Sequence, residues 1–283
     1  MGLIRVILLA GSLFSAPLAR AATVETCDQY RGVTVGPYVI QTDYWNQGQC
    51  PGTQCMSIDD QTGVFTVTKA TYQCGYSVGG YPSILYGKAF GGESPGSGLP
   101  ARVDSLKCVH SSWTFHPSDT GRWDAAYDIW LCPDNQCGPG GFPGGAEVMV
   151  WLDYRNTNGW QVDQGPVTLN GMPWEVWRWD VDDAGGKRTY VAYLAKTKTD
   201  SVKNLDLLEF LKDSHARGYL KPSWYLYAVL AGVEIASGGV PFTSESYSVS
   251  LNGDCGVAPQ ILPIPASPTP TPDLTPEDIP PPP

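Results

Sequence analysis

Short runs of alternating apolar and polar residues recur along this chain, and Gly, Pro and Asn separate one run from the next. They span residues 64–68, 124–131, 147–154 and 246–251. A period of two is typical of strands with one buried face, and 32 Gly and 25 Pro residues supply turns between them. Because 42% of the residues are hydrophobic and only 16% are charged, the chain can bury a large core. We predict an all-β fold, a sandwich or jelly roll.

One stretch has a different period. In residues 201–216, Val202, Leu205, Leu208 and Leu211 recur at helical spacing, and Gly218 follows as a stop signal. We predict a single helix here, packed against a sheet.

The two ends of the chain differ from the middle. Residues 1–21 hold Arg5, an apolar run and a small-residue cleavage pattern, which predict a secretory signal peptide. No stretch reaches the ~18 apolar residues that a spanning helix needs, so we expect a secreted, extracellular protein without membrane contact. The proline-rich residues 258–283 are predicted to form a solvated tail or linker. Residues 22–257 are predicted to form one domain.

Eight cysteines, an even number, suit disulfides in an oxidising compartment. The sequence does not fix their pairing, although Cys132 and Cys137 are placed to close a short loop. There is no CxxC motif and the three histidines have no ligand spacing, so we predict neither a metal nor another cofactor. The formal charge of −10 argues against nucleic acid as a partner, and we expect a monomer.

Acidic and aromatic residues share one face of several predicted strands. In residues 147–153, Val148 and Val150 point to one side, whereas Glu147, Met149 and Trp151 point to the other. The same parity groups Asp124 and Asp128 with Trp130, and Glu175 with Trp177 and Trp179. Glu234 is the lone acid of an apolar strand, residues 229–235. A carboxyl group in such surroundings has a perturbed pKa.

Two interpretations of these strands stay open. Acids that alternate with apolar residues are often only the solvated side of a sheet. Several acid and Trp strands together would instead form a cleft with stacking surfaces for sugars and paired carboxylates for glycosidic bond cleavage. Alternation does not show whether the strands are neighbours. The chain lacks a G-x-S-x-G elbow and a P-loop, which argues against serine hydrolase and nucleotide chemistry.

Ordered blocks over residues 24–251 carry a resemblance to a known family. They are Cys27, Tyr44-Trp45, Gln54-Cys55, Tyr81-Pro82, Gly98-Leu99-Pro100, Ala126-Tyr127-Asp128-Ile129-Trp130, Glu147-Val148-Met149-Val150-Trp151, Trp174-Glu175-Val176-Trp177, Trp224-Tyr225-Leu226 and Gly232-Val233-Glu234. In these blocks the sequence resembles the glycoside hydrolase family 12 endoglucanases. The resemblance implies a secreted β-jelly-roll of two antiparallel sheets, with a concave cleft in which β-1,4-glucans are cleaved with retention.

The resemblance also implies roles for individual residues. Glu147 matches the family's nucleophile and Glu234 its acid/base, and Asp128 matches the aspartate beside the nucleophile. Trp45 matches a tryptophan that stacks on a sugar of the β-glucan substrate. Met149 and Trp151 match residues that line the cleft, and Cys27 with Cys55 matches the family's N-terminal disulfide.

Three departures bear on specificity. Gln41-Thr42-Asp43-Tyr44 stands where the family has Asn-Asn before the stacking Trp, and Asp124 stands where Asn is usual. We predict that Asp43 and Asp124 contact substrate. Ala236 replaces an aromatic residue after Glu234 and is expected to widen the cleft. Besides a glucanase acting on cellulose-type and mixed-linkage glucans, a xyloglucanase, a non-catalytic glucan-binding protein and, last, a structural surface protein are the alternatives.

Overall fold

A computed structural model describes residues 22–75, 77–137, 141–157, 162–183 and 186–262. The predicted signal peptide, residues 1–21, lies outside the described residues, as does the tail from residue 263 onward. In the described part of the chain, no helix has both the length and the apolar character that a bilayer crossing requires.

Strands dominate the structure. The first half holds β1 (Thr23–Thr26), β2 (Gly32–Val35), β3 (Tyr38–Gln41), β4 (Gln54–Asp59), β5 (Phe65–Ala70), β6 (Ser83–Ala89), β7 (Gly92–Glu93), β8 (Ala101–Arg102), a 3₁₀ turn (Val103–Ser105), β9 (Val109–His116) and β10 (Gly121–Cys132). The second half holds β11 (Ala146–Arg155), β12 (Val162–Asp163), β13 (Val167–Leu169), β14 (Met172–Asp183), β15 (Gly186–Ala195), β16 (Ser201–Asp206), α1 (Leu207–Ala216), β17 (Tyr225–Gly238), β18 (Phe242–Leu251) and β19 (Gln260–Leu262).

The strands form two sheets, as predicted. The small sheet has the order β1-β4-β5-β18-β9-β16-β19, and the large sheet has the order β12-β14-β15-β11-β10-β17-β6-β3-β2 with β7, β8 and β13 paired at its margins. Among the described strands, one pair departs from the antiparallel expectation, because β11 and β15 run parallel. The connection between them contains β12, β13 and β14, which is long enough for the crossover that parallel strands need.

The main core lies between the sheets. Val148 and Val150 of β11, Ile129 of β10 and Val233 of β17 are fully buried in it, together with Trp113 of the small sheet. Val148 and Val150 are core residues that the period of two predicted, and Ile129 lies on the face opposite the acids, as predicted. The side chains of the alternate residues of β10, β11 and β17 therefore lie on the outer face of the large sheet, which carries the candidate site.

The predicted helix over 201–216 is wrong in its first third. Residues Ser201–Asp206 form strand β16, which pairs with β9, and the helix begins at Leu207. Asp206 caps the helix by accepting a hydrogen bond from the Leu208 amide at 3.1 Å. Gly218, with φ +82°, follows the helix end as predicted.

All eight cysteines form disulfides. Cys27–Cys55 confirms the pair that the family resemblance implies, and Cys132–Cys137 confirms the short loop that the spacing suggests. The other two bonds, Cys50–Cys74 and Cys108–Cys255, could not be assigned from spacing. The sheet also extends beyond the predicted domain end, because β19 pairs with β16 inside the segment assigned to the tail.

Candidate active site

Strand β10 lies between β11 and β17, so the acidic strands are neighbours. Asp124 is directly opposite Glu234 of β17, and Trp130 is directly opposite Glu147 of β11. Asp128 lies between these two positions, opposite Met149. The structure thereby answers the question that alternation left open: Glu147, Glu234, Asp128 and Asp124 share one face of three adjacent strands.

Two aromatic clusters flank the acids on this face. The first, here the Trp130 cluster, contains Trp130, Phe142, Tyr227 and Tyr81 among its buried members. The second, the Trp151 cluster, contains Met149, Trp151 and Tyr190, with Trp177 and Trp179 packed against it. The acids therefore lie between apolar side chains and not on an ordinary solvated sheet face.

The Glu147 carboxylate is paired with a cation. Arg188 of β15 donates from Nε to Glu147 Oε2 at 2.8 Å, and the two side chains are only 12% and 10% exposed. The Arg188 guanidinium in turn lies over the Trp130 ring, 5.1 Å from its centroid. A buried, charge-assisted hydrogen bond of this kind restricts the orientation of the carboxylate.

Asp128 is a buried acid beside Glu147. The Trp130 indole Nε1 donates to Asp128 Oδ2 at 2.6 Å, while Oδ1 has no hydrogen-bond partner among the described residues. Burial, and next the neighbouring Glu147 carboxylate, raise the pKa of Asp128 well above its ordinary value. Asp128 is therefore a group that can hold a proton beside Glu147.

Glu234 is the most accessible of the site acids. It is half-buried, whereas Glu147, Asp128 and Asp124 are buried. Burial raises its pKa well above the ordinary 4.5, and the Asp124 and Glu147 carboxylates raise it further. Its carboxyl group hydrogen-bonds to that of Asp124, whose pKa burial also raises. Two such groups share a proton and titrate as a pair.

A glycine gives the Glu234 strand room. A Cβ on Gly232 would lie 2.4 Å from the Pro82 carbonyl oxygen, so a side chain there would push β17 away from the segment that precedes β6. Glycine is needed where two backbones approach this closely.

Asp43 and Trp45 lie in the loop after β3. Burial raises the pKa of Asp43 to about 7, and its charge acts on Glu234, which places it in the neighbourhood of the site acids. Trp45 is 46% exposed, and the Tyr30 hydroxyl donates to its backbone carbonyl. Its indole therefore has an open face.

Met149 and Trp151 are less exposed than a cleft lining suggests. Both are buried, at 1% and 7% exposure, and Tyr190 donates from its hydroxyl to Met149 Sδ at 2.6 Å. Trp177 and Tyr154 cover parts of the Trp151 ring. Both residues are therefore packed into the Trp151 cluster beside the acids.

One sequence expectation about a neighbouring position fails. Ala236 does not widen the cleft, because a bulge in β17 turns it into the main core, where it is 1% exposed and its carbonyl accepts from the Cys74 amide. Glu175 is not part of the acid group, since it lies two strands from β11 at the rim and is 46% exposed beside Lys196.

Arg188 and Tyr190 were missed in the sequence. Both lie on β15 with Ala192 and Leu194, and the last three belong to the Trp151 cluster. Residues 188–194 show the same alternation, but they contain no acidic residue that would mark the strand as part of a site.

Comparison with known proteins agrees with this geometry. The model of the glycosyl hydrolase family 12 matches residues 36–252. The chain is 29% identical over 247 residues to a probable xyloglucan-specific endo-beta-1,4-glucanase A of Neosartorya fischeri, covering 84% of this chain and 95% of that protein. It is 30% identical over 160 residues to a probable cellulase of Mycobacterium tuberculosis, which covers 56% of this chain and 99% of the relative.

The fold comparison points the same way. The endoglucanase cel12A from Rhodothermus marinus superposes with a TM-score of 0.75 and 38% identity, over 84% of this chain and all of that one. Because the family model covers most of the chain and the fold matches the family's jelly roll, the chain belongs to glycosyl hydrolase family 12 and is a glycoside hydrolase.

Proposed function

We propose that this protein is a secreted, retaining endo-β-1,4-glucanase that works by double displacement, with Glu147 as the nucleophile and Glu234 as the acid/base. The observation that carries the proposal is the unequal environment of two carboxyl groups on one sheet face. Glu147 is held by a cation, whereas Glu234 has a raised pKa among acids. Such a difference assigns one group as the ionised partner and the other as the proton donor.

In the first step, the Glu147 carboxylate forms a bond to the anomeric carbon. Glu234 gives its proton to the leaving oxygen as the glycosidic bond breaks. In the second step, Glu234 takes a proton from water, whose oxygen bonds to the anomeric carbon, and the electron pair of the ester bond returns to Glu147. The configuration at the anomeric carbon is retained after two inversions.

Two further acids support these roles. Asp128 holds a proton beside Glu147, which avoids a second negative charge next to the nucleophile. Asp124 keeps the Glu234 proton in place by sharing it.

The substrate class follows from surfaces around the acids and from the relatives. The open indole of Trp45 offers a stacking platform for a sugar ring, and Asp43, whose charge acts on Glu234, is the acid that we assign to hydrogen-bond sugar hydroxyls. The relatives are named as a glucanase, a cellulase and an endoglucanase, which supports internal β-1,4-glucan bonds as the target.

A second candidate is a xyloglucan-specific enzyme, favoured by the name of the Neosartorya fischeri relative. A cleft widened at Ala236 would also have favoured a xyloglucan-specific enzyme, but Ala236 is buried and does not widen the cleft. We therefore place cellulose-type and mixed-linkage glucans first. The alternative of a non-catalytic glucan-binding protein is set aside, because the chain is a glycoside hydrolase.

Four disulfides and the predicted signal peptide support secretion into an oxidising compartment. We also propose that the mature protein acts as a monomer with the glucan as its partner.

The direct test is release of reducing ends from barley β-glucan, carboxymethylcellulose and tamarind xyloglucan. We expect the parent to act on the first two and Glu147→Gln and Glu234→Gln to lose at least about a thousandfold in rate. Glu175→Gln is the matched control, because Glu175 lies on the same sheet face outside the acid group, and it should keep near-parental activity. Preference for xyloglucan would favour the second candidate. A folded parent that releases no reducing ends from any of the three glucans would contradict the proposal.

A further inference from the structure

Arg188 is the cation beside Glu147, but no step of the double displacement assigns it a role of its own. It lies on β15, which pairs with the Glu147 strand so that Tyr190 is opposite Glu147. Its Nε contacts Glu147 Oε2 at 2.8 Å in a setting where both side chains are almost fully covered. A solvent-exposed ion pair contributes little to stability. An ion pair that is removed from water, in contrast, strongly affects whether the acid is ionised or protonated.

Trp130 connects Arg188 to a second acid. One face of its ring lies near the guanidinium, 5.1 Å from the centroid, and its indole nitrogen donates to Asp128 at 2.6 Å. Arg188 and Asp128 both interact with Glu147. Trp130 thus holds a cation and an acid in fixed positions around Glu147.

The charges facing Glu147 from every neighbouring strand explain why a cation is needed. Asp128 of β10 and Glu234 of β17 interact electrostatically with it, and so does the Tyr190 hydroxyl of β15. A buried carboxylate between two other acids would favour its protonated form, which is not nucleophilic. Arg188 supplies the opposing positive charge.

We infer that Arg188 is a positioning residue that keeps Glu147 ionised and oriented for attack, with Trp130 fixing the guanidinium. The inference rests on the proposed function, because it assumes that Glu147 is the nucleophile. Arg188 also favours the second step, in which the ester bond to Glu147 breaks and the carboxylate regains its electron pair. The first step neutralises the Glu147 carboxylate and thereby weakens the ion pair. The ion pair helps most at low pH, because protonation of Glu147 would otherwise limit the rate there.

The test is the pH profile of kcat/KM on a soluble β-glucan, measured on the full chain and on Arg188→Gln. In Arg188→Gln we expect the acid limb of the profile to shift to higher pH by about one unit. This means an approximately tenfold loss of kcat/KM on that limb and a smaller loss at higher pH. Arg188→Lys keeps the charge, so its acid limb should stay within about 0.3 units of the parent limb. Thermal unfolding midpoints establish that each variant is folded.

Two controls separate this role from a structural one. Arg178→Gln removes an arginine on neighbouring strand β14 that contacts Tyr219 and Asp180 instead, and it should leave the acid limb in place. Trp130→Phe keeps a ring but loses the donor to Asp128, and its effect should be less than additive with Arg188→Gln. A loss in Arg188→Gln that is equal at every pH, or an acid limb that moves equally in Arg188→Lys, would overturn the inference.

Failure of the inference is distinguishable from failure of the proposed function. If Glu147→Gln retains parental activity, the assignment of the nucleophile is wrong whatever Arg188 does. If Glu147→Gln is inactive while the acid limb of Arg188→Gln does not move, only the positioning role is wrong.

Discussion

The carboxyl groups of Asp124 and Glu234 face each other across two strands, and this pair controls a proton at the site. Asp124 stands at a position where related enzymes were expected to have Asn. Burial is the largest cause of the raised pKa of Glu234, and the Asp124 carboxylate raises that pKa further, which an uncharged amide at this position would not do.

We predict that Asp124→Asn lowers the pKa at which Glu234 loses its proton. Burial and Asp124 both raise that pKa, and the substitution removes the second cause. Titration of carbon-13-labelled glutamate side chains by NMR should show a single step at lower pH than the upper step of the parent pair. An upper step at unchanged pH would contradict the electrostatic coupling, with Glu175→Gln as the control that leaves it in place.

We predict that Trp45→Ala weakens binding more than turnover. The exposed indole provides stacking that contributes about 1 kcal/mol, so KM on a soluble β-glucan should rise about fivefold while kcat changes less than twofold. Trp45→Phe should recover most of the loss. If kcat falls with KM unchanged, Trp45 is not a ground-state sugar platform.

At this scale the sequence predicted much of the site. Parity placed Glu147, Asp128 and Glu234 on the outer face correctly, because a side chain on a strand has only two directions to choose from. It did not predict the Arg188 contact, since an ion pair between two strands depends on their register. It also failed at Ala236, where a bulge changes which face a residue occupies.

Among the elements, the segment Ser201–Ala216 shows how two structures compete for one apolar pattern. Val202 and Leu205 fit a helical stripe, yet both are buried in strand β16 by pairing with β9. The strand forms because residues 201–206 pair with β9, which is distant in sequence. A local pattern cannot reveal such a long-range pairing. Asp206 marks the change, and a short polar residue there is a signal for the start of a helix.

We predict that Asp206→Ala lowers the free energy of unfolding by about 1–2 kcal/mol, because its carboxylate accepts from both the Leu208 and the Val109 amides. Urea denaturation should show this loss, while kcat/KM stays at the parental value because the helix lies away from the site face. Asp206→Asn keeps an acceptor and should lose less. Equal stability of all three proteins would show that the cap contributes nothing.

The parallel pairing of β11 and β15 is another element that local sequence could not show. Strand identity follows from alternation, but the partner of a strand depends on how the chain returns to the sheet. This pairing brings Arg188 and Tyr190 beside Glu147. The composition of the site thus depends on topology as well as on strand pattern.

At the scale of the whole molecule, the folded protein contains a group of acids whose pKa values are raised. They include Asp43, at about 7, together with Asp124, Asp128 and Glu234. An acid with a raised pKa binds more protons folded than unfolded, so its ionisation opposes folding. The free energy of unfolding therefore begins to fall as the pH rises above the unfolded pKa near 4, and the fall is complete above the folded pKa.

We therefore predict that the protein is less stable at pH 8 than at pH 5. Asp59 and Asp104, whose pKa values are lowered, are ionised in both states across this window and do not offset the loss. Asp43→Asn should reduce the difference in urea midpoint between the two pH values, whereas Asp119→Asn, an exposed control, should not. Higher stability at pH 8 would contradict the raised pKa values.

Fold class and the grouping of acids with tryptophan were accessible from the sequence because both follow from period and composition. Two disulfides, Cys50–Cys74 and Cys108–Cys255, were not, since eight cysteines allow many pairings.

The central claim is that Glu147 forms a covalent bond to the sugar during turnover. The most direct measurement is mass spectrometry of the protein after incubation with an activated 2-deoxy-2-fluoro-β-cellobioside, which slows the second step and traps the intermediate. We predict that one glycosyl unit is added and that the peptide containing Glu147 carries it, with no addition in Glu147→Gln. A label on another residue, or α-configured product without any trapped intermediate, would contradict the account.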